Sequence, residues 1–316
     1  MFQGAGQTGS FYLTIIIISA NSHHVKRIKP SILLKKIGVM EKILLAIDAT
    51  NPDKNSLEFA CYLGRLTKSK ITGVFLENLA AEERPVLKQV HEMASPGADE
   101  KLDEHKAEVE LVEKNIAFFK EGCVNREVNY RLHRDRGVPA HELIEESRFA
   151  DVLVVDAETS FNKRYEGAPT QLVKDILKKA ECPVIIAPES FEAIDEVIFT
   201  YDGSSSSVFA IKMFTYLFPQ LHDKKASIIR VSEAGVWQDP DKYKFREWLK
   251  EHYTDLHFEV LKGDTETELF EHLFKRKNMF LVMGAYGRNA LSQFFKRSHA
   301  DLLIKTVTQP IFIAHL

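Results

Sequence analysis

Cysteine is scarce: Cys61, Cys123 and Cys182 are all that 316 residues contain. An odd number, with no CxxC and no metal-ligand spacing, excludes a disulfide framework and a cysteine zinc site. Reduced thiols of a cytosolic protein are expected instead, with Cys61 and Cys182 facing a core. Excess charge is lacking too, and a formal net charge of −3 excludes bulk attraction to nucleic acid. Long apolar runs are missing. Residues 11–18 form the apolar run FYLTIIII, too short to cross a bilayer. Metal-ligand spacing is absent among His141, His222, His257 and His315. What remains, 45% hydrophobic and 28% charged, is the composition of a globular protein, in a chain long enough for two domains.

The first 39 residues differ from the rest, carrying five basic residues (Lys26, Arg27, Lys29, Lys35, Lys36) and no acidic one. These basic residues follow the apolar run, the reverse of a signal peptide. Met40 directly precedes the first clean strand. Residues 1–39 are therefore expected to be a disordered leader or an over-long start.

From Met40 onward strands and helices alternate. The continuous apolar stretch at 43–47 reads as a strand covered on both faces, and 71–76, 128–132, 151–155 and 183–187 read as the further strands. Helices are expected from about 56, over 101–122, over 139–147 and over 170–179. The long charged helix carries an apolar stripe of Leu102, Val109, Val112, Ile116 and Phe119. Residues 78–100, with Pro85, Pro96 and Gly97, read as an irregular excursion. Five strands and four helices in alternation predict a doubly wound parallel sheet.

The pattern then restarts. The strand 197–202 reproduces 43–48, each apolar and each closing in aspartate, Asp48 or Asp202. Strands at 226–231, 258–261 and 280–283 follow, with a short helix near 243–252. Cys182-Pro183-Val184-Ile185-Ile186-Ala187 recurs as Gln309-Pro310-Ile311-Phe312-Ile313-Ala314. Two α/β units in tandem result, 40–190 and 191–316. The last unit also carries a glycine loop, Gly284-Ala285-Tyr286-Gly287, then Arg297-Ser298 ahead of the helical spacing of 300–305. Glycines let the backbone approach an anion, and N–H groups opening a helix point at it.

The element order, the paired repeat, the strand-closing aspartate and the loop resemble the universal stress protein family over both units. The resemblance implies two tandem doubly wound five-stranded parallel sheets, Rossmann-like, each of strand order 3-2-1-4-5. It also implies that the loop cradles the phosphates of ATP and that the aspartate lies at the adenosine end. Carried onto this sequence, the cofactor-binding residues are Asp202, Gly284, Gly287, Arg297 and Ser298. Arg297 replaces the third glycine of the motif, and its planar fork suits phosphate oxygens. The first unit keeps Asp48 but has Asp156 and Thr159 where the glycines belong, so it is not expected to bind ATP. In such a sheet, ligands sit where strand order reverses, between strands one and four. Asp202 and Gly284 end those strands and are expected to meet, and Gly284→Val is expected to remove binding with the fold intact.

No carboxylate or histidine is matched to Asp48 or Asp202 for acid–base chemistry. Ser298 and His299 are neighbours on a helix and point apart. The expectation is a cytoplasmic, non-enzymatic stress-response protein, with ATP the cofactor of the second unit only. Its two units pair through their fifth strands, further homodimerisation uses the same edges, and neither nucleic acid nor membrane is a partner. Alternatives are a scaffold with both pockets degenerate and a slow nucleotide hydrolase.

Overall fold

The computed structural model describes residues 40–78, 98–161, 166–237, 240, 242–284, 303–304 and 308–314. Residues Gly38–Leu316 form one compact unit. Its strands are β1 (Lys42–Asp48), β2 (Lys70–Asn78), β3 (Tyr130–Gly137), β4 (Val152–Val155), β5 (Val184–Ile186), β6 (Glu196–Thr200), β7 (Lys225–Ser232), β8 (Leu256–Lys262), β9 (Met279–Gly284) and β10 (Ile311–Ala314). The helices are α1 (Lys54–Thr67), α2 (Ala98–Asn125), α3 (Pro139–Ser147), α4 (Gln171–Lys179), α5 (Ser205–Leu217), α6 (Lys242–Lys250) and α7 (Thr265–Phe274). The sequence predicted neither α5 nor α7 by name, although each fills the crossover that two parallel strands require.

All ten strands lie in one sheet, in the order β3-β2-β1-β4-β5-β10-β9-β6-β7-β8. Read inward from its outer edge, each half has the predicted order 3-2-1-4-5 with parallel pairing throughout. The halves join where β5 and β10 pair antiparallel, Ile311 opposite Ile186 and Ile313 opposite Val184. Two apolar cores cover the two faces. One contains α1, α2, α5 and α6, and runs through Phe59, Phe119, Phe214 and Phe280. The other lies beneath α3, α4 and α7, with Leu143, Ile176 and Leu273.

Local chemistry accounts for the element ends. Asp53 caps α1 by accepting a 2.6 Å hydrogen bond from the Ser56 N–H, and Thr170 caps α4 through the Val173 N–H. The predicted stripe of α2 needs one correction. Val109 is 37% exposed, whereas Val112, Ile116, Phe119 and Cys123 are buried. The Leu102 side chain lies outside the described residues, and all three cysteines are buried.

The third strand is also displaced from its predicted span, 128–132. Val128 is buried, but its N–H bonds the Cys123 carbonyl in the turn that closes α2. The strand proper pairs with β2 from Tyr130 to Gly137. It lies at the sheet's edge, where charge is tolerated. Arg134 there pairs with Glu77 and Glu113, and His133 with Glu146. A search for apolar runs misses such a strand.

Candidate functional site

β6 and β9 are adjacent and parallel, with Phe199 opposite Val282. Extending that register sets Tyr201 level with Gly284 and Asp202 one residue beyond. β6 itself closes at Thr200, so Asp202 lies past the strand and not at its end as the sequence suggested. The reason is the turn it makes: the Asp202 carboxylate accepts a 2.8 Å hydrogen bond from the Ser204 N–H, across Gly203 at φ +84°. Ser204 then caps α5 by accepting from the Ser207 N–H at 3.1 Å. Asp48 behaves likewise in the first half, accepting from the Thr50 and Asn51 N–H groups.

Gly284 closes β9 against the opening turn of α5. A Cβ built on it would lie 2.4 Å from the carbonyl carbon of Ser206 and 2.5 Å from the Ser207 nitrogen. Only glycine lets the helix start come this close. The strand end, the Asp202 turn and the first N–H groups of α5 thus converge at the reversal of strand order, where an anion is best received. Gly287, Arg297 and Ser298 lie outside the described residues. Leu303 and Ile304, from the helix expected beyond them, are helical and buried.

Beside the turn is a group that sequence reasoning missed. Tyr201 is stacked between Trp237 and Phe245, at centroid distances of 5.3 and 4.9 Å. The Arg230 guanidinium lies 5.8 Å from both the Tyr201 and the Trp237 ring centres, and Lys242 lies 5.2 Å from that of Trp237. Cations over ring faces are held by the ring quadrupole. They give the β6–β7 end of the crevice positive charge. The available signal was Tyr201 itself, set immediately before Asp202 where the first half has Ile47.

No family model matches the sequence. A universal stress protein of Synechocystis sp. is 20% identical over 287 residues, covering 86% of this chain and 99% of that protein. A solved universal stress protein from Archaeoglobus fulgidus has the same fold, with a TM-score of 0.60 at 18% identity, covering 87% of this chain and 98% of that one. In sequence and in fold the chain is similar to universal stress proteins. A protein of unknown function from Pseudomonas aeruginosa shares the fold less closely, with a TM-score of 0.51 at 12% identity, over 87% of this chain and 92% of the other.

Within this universal stress fold the first half shows what happens without the glycine. β1 pairs β4 with Leu45 opposite Val154, so Asp156 occupies the place that Gly284 holds in β9. Counted from the strand-closing aspartate, α1 begins about one turn later than α5. The Asp156 carboxylate accepts from the Glu158 N–H at 2.9 Å. Burial, and then the charge of Asp53, push its pKa up to about 6 from 3.8. A carboxylate here repels phosphate. Because the folded-state pKa is the higher one, stability is full below about pH 4 and is lost as pH rises through about 6. Asp156→Asn, which keeps the acceptor, is expected to gain about 1–2 kcal/mol at pH 7.5 after allowance for partial exposure, and nothing at pH 3.5. Thermal melts of the two proteins at both pH values check this; an equal difference at both would refute it.

A second feature missed in the sequence lies at the other end of the strands. In the first half Lys42, His133 and Glu146 form one network, with Glu146 bonded to both partners. The same three places in the second half hold Glu196, Glu259 and His272, with the charges exchanged. Arg276 bridges Glu196 at 2.8 Å and Glu259 at 3.4 Å. Each network ties a helix to its half-sheet. Among the described residues, no three histidine, cysteine or acidic side chains could hold a metal ion. No described helix is long and apolar enough to cross a membrane.

Proposed function

We propose that this universal stress protein acts without catalysis in a cytoplasmic stress response, its second half binding ATP or a related nucleotide. The observation that carries the reading is the contrast at one place in the fold. Gly284 brings a strand end against the opening turn of α5, whereas the first half puts the Asp156 carboxylate there. Phosphates would lie on the backbone N–H groups of Gly287 and Ser298, with Arg297 supplying a cation, and Asp202 would face the ribose. The β5–β10 ladder would stand for the contact through which separate copies of such a domain associate, leaving any further self-association to other surfaces.

Titration calorimetry of the full chain with ATP tests the binding. Micromolar to submillimolar affinity is expected, and Gly287→Val and Asp202→Ala should each weaken it at least tenfold, about 1.4 kcal/mol or more. No heat and no retained nucleotide at millimolar ATP would refute it in favour of a scaffold with both pockets degenerate. Release of phosphate that Asp202→Ala abolishes would establish a slow hydrolase instead.

A further inference from the structure

Cys61 and Cys123 are both 0% exposed. They sit on different helices, α1 and α2, with the two thiols close enough to perturb each other's titration. The meeting is framed on each side. Gly122 abuts Leu57 so closely that a Cβ there would lie 2.8 Å from Leu57 Cδ2. One turn beyond Gly122, Arg126 donates to its carbonyl at 3.2 Å and to the Glu58 carboxylate at 2.9 Å. The missing side chain at 122 sets the helices close, and the ion pair fixes their register.

We propose that Cys61 and Cys123 are a peroxide-oxidisable thiol pair that closes into an intrachain disulfide stapling α1 to α2. The Cys61 thiolate attacks one oxygen of hydrogen peroxide; the S–O bond forms, the O–O bond breaks, and the departing hydroxide takes a proton to become water. The Cys123 thiol then attacks the Cys61 sulfur, forming the S–S bond as the S–O bond breaks, and its proton goes to the departing hydroxide, which leaves as a second water. The two sulfurs lose two electrons and the peroxide gains them. Cys61 is the first to react: the hydrogen bond from Cys123, then the fields of Arg126 and Arg65, hold its pKa below the usual thiol value. Cys123 is raised by the same hydrogen bond and by burial. That ordering gives one attacking and one resolving thiol.

Two further observations support the assignment. A cavity of about 10 Å³, room for one water-sized molecule, lies one turn along both helices, lined by Leu57, Phe118, Phe119 and the unpartnered hydroxyl of buried Ser56. It gives a small molecule a place between the same two helices, one turn from the pair. The second half also shows that the packing does not need sulfur. Thr215, at the place of Cys61, there meets the Tyr253 hydroxyl at 3.2 Å. Cys182, which burial pushes up to about 12, is not part of the pair.

The test uses the reduced full-length chain in native buffer with excess hydrogen peroxide, followed by alkylation in denaturant and peptide mass mapping. A peptide pair joined through Cys61 and Cys123, released by dithiothreitol, with Cys182 alkylated, is expected. The oxidised protein should also unfold at higher guanidinium than the reduced one. Cys182→Ser should leave the yield unchanged and Cys123→Ser should abolish the joined pair. Overturning results are alkylation of both thiols, overoxidation of one with the other free, or a cross-link that forms only in denaturant or only between chains.

Discussion

Gly284→Val unfolds about 5–10 °C below the parent chain. The expectation follows from the closeness of β9 to α5: the added Cβ would lie 2.4 Å from both the carbonyl carbon and the oxygen of Ser206. Backbone cannot rotate away as a side-chain tip can, so either the strand end or the helix start must move. Overpacking of this kind costs about 1–3 kcal/mol, and the upper end applies where a β-branched side chain meets main chain. This corrects the expectation that valine at 284 would remove binding with the fold intact. A weakened affinity in that variant would report displaced structure, which is why Gly287→Val carries the nucleotide test. Calorimetric melting with Gly284→Ala alongside decides the matter. A valine variant that melts within 1–2 °C of the parent would mean that the helix start gives way freely.

Phe280→Ala is expected to cost about 3–5 kcal/mol, the range for a fully buried phenylalanine whose site cannot collapse. Phe280 is 0% exposed. Its ring meets Phe214 edge-on at 4.9 Å, Phe218 at 5.7 Å and Phe59 at 6.0 Å. Phe59 comes from α1 of the first half, whereas the others belong to the second. The cavity left by alanine would therefore be lined from both halves, and neither half could fill it alone. Guanidinium unfolding should show a lower midpoint with an unchanged slope. Phe274→Ala serves as the control: that ring is 64% exposed, and its loss should cost less than about 0.5 kcal/mol. Equal effects at 274 and 280 would show that the aromatic cluster is not a packed core.

Much of the architecture was legible from residue order. The strands β1, β4, β9 and β10 are continuous apolar runs because both their faces are covered, and those runs stand out in the sequence. Helix α3 was placed to the residue because Pro139 opens it. The edge strand β3 was shifted, since half of its residues are charged, with Arg134 paired to Glu77 and Glu113 and the neighbouring His133 to Glu146. The site was legible only in outline. Asp202, Gly284 and the tandem repeat could be read directly. The role of Gly284 could not, because a glycine's reason is the atom that stands where its side chain would be.

The sequence alone determined the class of fold, the repeat of the unit, and the loss of the glycine in the first half at Asp156. These follow from local periodicity and from correspondence between two stretches of one chain. Tertiary structure alone decided which groups meet. It set Gly284 against Ser206, put the Asp156 carboxylate beside Asp53, placed Cys61 against Cys123, and exchanged His133 and Glu146 for Glu259 and His272. Each pair is separated by 13 residues or more. Their contact depends on how far a helix sits from its neighbour, a distance fixed by packing and not by any local pattern.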